Sequence, residues 1–289
     1  MSPKGTRLRT LNEPSVKASV LELPGGGKLR SWRREAQNAI AQVVLVHGFG
    51  EHSGRYNDVT EFLCGRGFSV QAFDLRGHGK SSGLAGHVNR FIDYEDDLRL
   101  AVESARGHAT SPLFLIGHSM GGLITLRYLA GRPPNISGAV ISAPLLGFAV
   151  RIPKLKLAIG RASGLIAPKM RMANEIDPTH LSRDPAVGRA YAEDPLVRRV
   201  VSARWFSEAT LAMKSMQTAA ARIQVPVLIL HGTEDKLAAV DATRAVFDRI
   251  GSRDKELKVY PGFYHELFNE PEKQEVFRIV GDWLSARSI

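Results

Sequence analysis

The chain has 289 residues, 44% of them hydrophobic, and carries a formal net charge of +10. That length suits one large α/β domain with an insertion, or two small domains, and the composition excludes a disordered or low-complexity polypeptide. No stretch approaches the roughly 18 apolar residues that span a bilayer, and a single cysteine, Cys64, excludes an intramolecular disulfide.

Residues 1–14 are polar and basic and lack an apolar core, so they read as a leader and not as a secretory signal. Together with the lone cysteine, this sets the expectation of a reducing, cytoplasmic compartment. Residues 16–23 and 28–34 flank Pro24-Gly25-Gly26-Gly27 and predict an opening hairpin. Continuous apolar runs follow at 41–46, 68–73, 113–116, 139–142 and 227–230, with a shorter one at 257–260, as expected of strands covered on both faces. Helical patterns lie between them at about 55–65, 91–106, 120–131, 208–222, 240–250 and 273–286. The alternation predicts an α/β fold: a mostly parallel central sheet flanked by helices.

One region breaks the alternation. From 145 to 205 no good strand is evident, and Pro153, Pro168, Pro178, Pro185 and Pro195 recur. It reads as a helical cap inserted between two parts of a core, 15–144 and 206–289. Arg151, Lys154, Lys156, Arg161, Lys169 and Arg171 lie there among aliphatics, with no acid between Pro144 and Asn174. This segment is expected to make reversible contact with an anionic membrane surface, because basic side chains near anionic lipid are attracted. Nucleic acid is not expected as a partner: no nucleic-acid motif is present, and no aromatics interleave with the basic residues. Oligomeric state is not encoded in any of these patterns.

The most specific signal is Gly117-His118-Ser119-Met120-Gly121, a G-x-S-x-G placed between a strand and a helix. A serine on so sharp a turn needs glycines where backbones cross, and the helix beginning at Met120 points N–H groups and its positive dipole end at the hydroxyl. Ser119 is therefore the candidate nucleophile, and the Met120 N–H a candidate oxyanion donor. Earlier, a buried strand ends in His47-Gly48-Phe49-Gly50, the position from which α/β-hydrolases supply the second donor, here the N–H of Phe49. A dinucleotide loop is the rival reading. It is disfavoured because the third glycine falls at Gly54, one position late, and no tyrosine is followed four residues on by lysine. Such a serine needs a base late in the chain, after an acid. His265, after the last strand, fits the base. His231, at a strand end, reads as packed beneath the loop. Glu234 and Asp235 both qualify as the acid. His47, Glu51 and His52 lack a complete metal-ligand set, so no metal or organic cofactor is expected, and His78 reads as structural.

Taken together these motifs resemble the monoacylglycerol lipase and lysophospholipase branch of the α/β-hydrolase superfamily. The matching pieces are His47 to Tyr56, Phe73 to Ser81, Gly117 to Gly122, Ser142 to Leu146, His231 to Leu237 and Tyr260 to Glu266, spread over about residues 20–286. The resemblance implies a catalytic triad of Ser119, Asp235 and His265, with oxyanion N–H groups from Phe49 and Met120. His47, Gly48, Gly117, His118 and Gly121 play supporting parts in it. It also implies a small single-chain lipid ester as substrate, monoacylglycerol first, with a lysophospholipid or a simple short ester as the alternative. A non-catalytic relative would need a broken triad, and none of the three positions is broken. One departure stands out. Asp194-Pro195-Leu196-Val197 is followed by Arg198 where relatives often carry histidine, so head-group contacts in the cap do not carry over.

Overall fold

The computed structural model describes residues 16–108, 111–150 and 163–288. The leader at 1–14 and the charged positions Arg151, Lys154, Lys156 and Arg161 lie outside the described residues. Strands β1 (Val16–Glu22) and β2 (Lys28–Arg34) form the expected hairpin, and β3 (Ala41–Val46), β4 (Phe68–Phe73), β5 (Leu113–His118), β6 (Gly138–Ser142), β9 (Val227–Gly232) and β10 (Lys255–Tyr260) complete one sheet. Its order is β1-β2-β4-β3-β5-β6-β9-β10. β1, β2 and β4 pair antiparallel, and every other neighbour in the sheet is parallel.

The doubly buried runs divide their side chains by strand alternation. In β3, Val44 and Val46 face one core while Val43 and Leu45 face the other; Leu115 and Ile116 of β5, and Ile229 and Leu230 of β9, split in the same way. The first core is covered by helices α2 (Ile92–Arg106), α3 (Met120–Ala130), α5 (Ala203–Ala219) and α6 (Val240–Arg249). The second is covered by α1 (Asn57–Gly65) and α7 (Lys273–Ser285). The β10 edge alternates Lys255, Glu256 and Lys258 with apolar residues, and charges of this kind discourage edge-to-edge pairing.

Two boundaries differ from the sequence expectation for identifiable reasons. β5 runs through Gly117 and His118, weak strand formers, because Gly117 pairs with Val46 of β3 and His118 with Ser142 of β6. α5 starts at Ala203, five residues before the expected 208, because Ser202 caps it: its hydroxyl accepts from the Trp205 amide at 3.1 Å. The region between β6 and α5 also holds what the sequence did not signal, an antiparallel ribbon of β7 (Arg171–Ala173) and β8 (Val200–Ser202). At three residues each, these strands are too short to show alternation. Helix α4 (Pro185–Glu193) in the same region has Asp184 as its cap and proline in its first turn. Among the described residues no helix is long and apolar enough to cross a membrane.

The layered core predicts where stability resides. Ile116→Ala, at a fully buried site, should cost about 2–5 kcal/mol in urea unfolding. Val20→Ala on the exposed face of β1 should stay within about 0.5 kcal/mol.

Candidate active site

The chemistry-bearing residues gather at the carboxyl ends of the parallel strands, where open α/β sheets place their ligand crevice. Ser119 directly follows β5, with φ 52° and ψ −117°. That strained turn is bolted from both sides. The Ser119 amide donates to Ser142 O at 2.9 Å, and its carbonyl accepts from Leu123 N at 3.1 Å and Leu145 N at 3.0 Å. The flanking glycines are obligatory. A Cβ on Gly117 would stand 2.5 Å from Thr125 Oγ1, and one on Gly121 2.2 Å from Val46 O.

The loop after β3 is drawn against this turn. A Cβ on Gly48 would lie 3.1 Å from Ser119 Cβ. His47 locks the loop: Nε2 accepts from Leu75 N at 2.9 Å, so Nδ1 carries the proton and donates to Gly48 O at 2.7 Å. Burial pushes the His47 pKa down. The Phe49 ring packs on Trp205, centroids 4.0 Å apart. Neither the Phe49 nor the Met120 amide has a protein acceptor among the described residues.

Asp235 and His265 meet after β9 and β10. His265 Nδ1 lies 2.7 Å from Asp235 Oδ2, while Oδ1 accepts from Leu237 N at 2.8 Å and Ala238 N at 2.9 Å. Burial would raise the Asp235 pKa, but the charge of His265 and the N–H groups of His231 and His265 overcome it and hold the carboxyl far below its usual range. For His265, burial works downward, and the charge and hydrogen bond of Asp235 more than reverse it, so its pKa is raised above 6.5. Glu234, the other sequence candidate, is exposed. No hydrogen bond joins Ser119 to His265 among the described residues, although both line one pocket; such bonds are often loose before substrate binds.

The cluster around Glu51 was not assigned from the sequence. Glu51 accepts from Gly48 N and Tyr56 OH, each at 2.6 Å, and from Arg55 at 2.9 Å. Arg55 also forks onto both oxygens of Glu266, at 2.6 and 2.9 Å. This buried cluster ties the Gly48 loop to the His265 loop. The i,i+4 spacing of Glu51 and Arg55 was visible, but Glu266, 211 positions away, was not. The His118 ring lies 4.8 Å from that of His265, tilted by 57°, and burial, then the charge of His265, push its pKa to about 4. His78 is buried and contacts Phe49. Among the described residues no cluster of metal ligands is present.

A pocket of about 640 Å³ opens over Ser119 and His265. Its walls are largely apolar, with Leu145, Phe148, Met172, Trp205 and Phe206, and with polar Asn174, Tyr191 and Lys236 at places on the rim and floor. Described residues between β6 and α5 line part of it and are strapped to the core. His52 Nε2 donates to Asp194 at 2.8 Å, Arg198 N to Gly50 O at 2.6 Å, and Glu266 N to Leu181 O at 2.7 Å. Arg198, at the departure noted above, bonds through its guanidinium to Gly79 O. Its place is in this strap and not in the pocket wall.

Comparison with known proteins agrees with this picture. The family model for serine aminopeptidase S33 matches residues 37–272. A monoacylglycerol lipase of Mycolicibacterium smegmatis is 38% identical over 244 residues, covering 84% of this chain and 87% of that protein. Phospholipase YtpA of Bacillus subtilis is 33% identical over 251 residues, covering 86% and 96%. The crystal structure of a Paleococcus ferrophilus monoacylglycerol lipase superposes with a TM-score of 0.83 at 37% identity, covering 90% of this chain and 99% of that one.

The raised His265 pKa sets a pH expectation. The base must be neutral to take the serine proton, so kcat/KM should fall as pH drops through an ionisation above 6.5 and level off on the alkaline side. A profile measured on a soluble ester checks this; a rate flat across that range contradicts a histidine base.

Proposed function

The chain belongs to the serine aminopeptidase S33 family of α/β-hydrolases, and from that premise we propose that it cleaves monoacylglycerol to glycerol and fatty acid through an acyl-enzyme on Ser119. The observation that carries this reading is the apolar pocket opening directly onto Ser119 and the His265–Asp235 pair. Its walls suit one acyl chain, and its few polar groups sit where a small alcohol head would lie. In this reading His265 takes the Ser119 proton as the hydroxyl oxygen attacks the ester carbonyl. The oxyanion is met by the amides of Phe49 and Met120, and losing one such donor costs on the order of 3 kcal/mol of barrier. Asp235 fixes the His265 tautomer and balances the imidazolium. His265 then protonates the departing glycerol oxygen, and water releases the fatty acid by the same route. The described parts of the inserted segment, 145–150 and 163–205, act as a cap over this chemistry.

The proposal extends to the lipid surface that supplies such a substrate. Val150 and Met170 are exposed beside the pocket, and Leu165 and Ile166 are 72% and 85% exposed. An apolar rim in the same segment as Lys169 and Arg171 fits reversible docking on an anionic bilayer, where each lysine contributes about 1 kcal/mol and salt screens the effect.

A substrate panel tests the reaction. Monoacylglycerols of graded length should turn over fastest, ahead of a diacylglycerol, lysophosphatidylcholine, p-nitrophenyl esters and an aminoacyl p-nitroanilide. Ser119→Ala should lower kcat by several orders of magnitude, with little further loss when His265→Ala is added, because the two act as a unit. Lysophosphatidylcholine leading the panel would move the substrate to phospholipid, and ordinary turnover by Ser119→Ala would end the mechanism. For the rim, Leu165→Asp/Ile166→Asp should abolish cosedimentation with anionic vesicles at low salt, yet leave hydrolysis of p-nitrophenyl butyrate unchanged.

A further inference from the structure

We infer that His231 is a positioning residue of the acid–base site: its Nε2–H, which donates to Ala238 O, lies 3.1 Å from Asp235 Oδ2, the same oxygen that His265 uses, and so limits how strongly that carboxylate holds the His265 imidazolium. The inference rests on the reading of Asp235 and His265 as acid and base.

The geometry begins in β9. His231 pairs with Val259 of β10, and Gly232 ends the strand against the His265 loop, where a Cβ would meet Phe263 O at 2.2 Å. The chain then turns through Thr233 and Glu234 and returns Asp235 to the His231 ring. Nε2 of His231 lies 3.1 Å from Asp235 Oδ2 and 3.1 Å from Ala238 O. Both neighbours are acceptors, so Nε2 must carry the proton. Nδ1 is buried without a partner among the described residues. Both side chains are fully excluded from solvent, so no water competes for the carboxylate.

Asp235 therefore accepts three hydrogen bonds, from two backbone amides on Oδ1 and the His265 imidazole on Oδ2, and the His231 Nε2–H stands 3.1 Å from that same Oδ2. A polar N–H this close stabilises the charge on Oδ2, and the bond to His265 is weaker than it would be alone. This matters because His265 sits among carboxylates. Asp235, Glu266 and Glu51 all favour its protonated form; only His118 and burial oppose them. Arg55 offsets Glu51 and Glu266. His231 does the equivalent for Asp235, which keeps the base from being locked in its protonated form. A residue that only filled space beneath the loop would need no N–H on this oxygen.

The test is kcat/KM against pH on a soluble short-chain ester for wild type, His231→Leu and His231→Gln. Leucine fills much of the volume without a donor, and the glutamine amide can return an N–H near the Nε2 position. His231→Leu should move the acid limb upward by about 0.5–1 pH unit, lowering kcat/KM about 3- to 10-fold on that limb. His231→Gln should keep the wild-type limb. A limb unmoved in His231→Leu overturns the inference. Should that variant not fold, ¹⁵N-histidine NMR of the wild type decides. His231 should hold its proton on Nε2 and its shifts should follow the His265 titration; a proton on Nδ1, or shifts indifferent to that titration, overturns it. Failure of the underlying reading looks different: wild type would show no acid limb, or Ser119 would not react with a fluorophosphonate.

Discussion

Everything at this site hangs on one backbone turn. Ser119 occupies a conformation that non-glycine residues rarely adopt, with φ 52° and ψ −117°, at a cost on the order of 1–3 kcal/mol. The turn persists because the fold over-determines it. β6 supplies the acceptor for the Ser119 amide, and α3 and the start of the inserted segment bond its carbonyl. The two glycines let the start of α3 press against the ends of β3 and β5. That crossing brings the Gly48-Phe49 loop and the Met120 amide to the same place. Relaxing the turn would therefore cost both the exposure of the hydroxyl and the two-donor cradle proposed for the oxyanion.

The second organising constraint is electrostatic. Three buried carboxylates, Glu51, Asp235 and Glu266, surround His265, and buried charge is tolerated only when paired and hydrogen-bonded. Arg55 pairs with two of them, and its two-sided grip joins a loop from the start of the chain to one from its end. Asp235 is satisfied by two backbone amides and the His265 ring N–H instead. The environment that holds these loops in place is thus the one that sets the protonation of the histidine. Structural support and acid–base tuning are carried by the same side chains.

Above the site, the later part of the segment between β6 and α5 is fastened to the core. Its later part is tied down by His52–Asp194, by Arg198 to two core loops, and by Arg183 to Glu270 at 2.8 Å. Exposed aliphatic and thioether side chains collect on its earlier part, near the pocket mouth. A fixed back wall with an apolar front edge is consistent with a lipid ester entering from that edge.

The sequence by itself determined the elements whose burial leaves a local imprint. Doubly covered strands read as unbroken apolar runs, and β3 and β4 were bounded to the residue. The glycines around Ser119 were legible because a close backbone crossing leaves no other choice of residue. The resemblance carried by the His47, Ser119, Asp235 and His265 motifs then pointed to a family to which the chain does belong. What only the tertiary structure decided were relations between residues distant in sequence or without a periodic signature. Glu234 and Asp235 are adjacent and chemically alike, and the folded path alone points Asp235 at His265 and leaves Glu234 in solvent. His231, expected to be mere packing, faces Asp235 because the turn after β9 doubles back on the strand. Arg55 meets Glu266 across 211 positions, and Arg198 proved to be a strap. The short ribbon of β7 and β8 exists only because its two halves find each other. Local patterns record which side of an element is buried; they do not record which partner the rest of the chain brings to it.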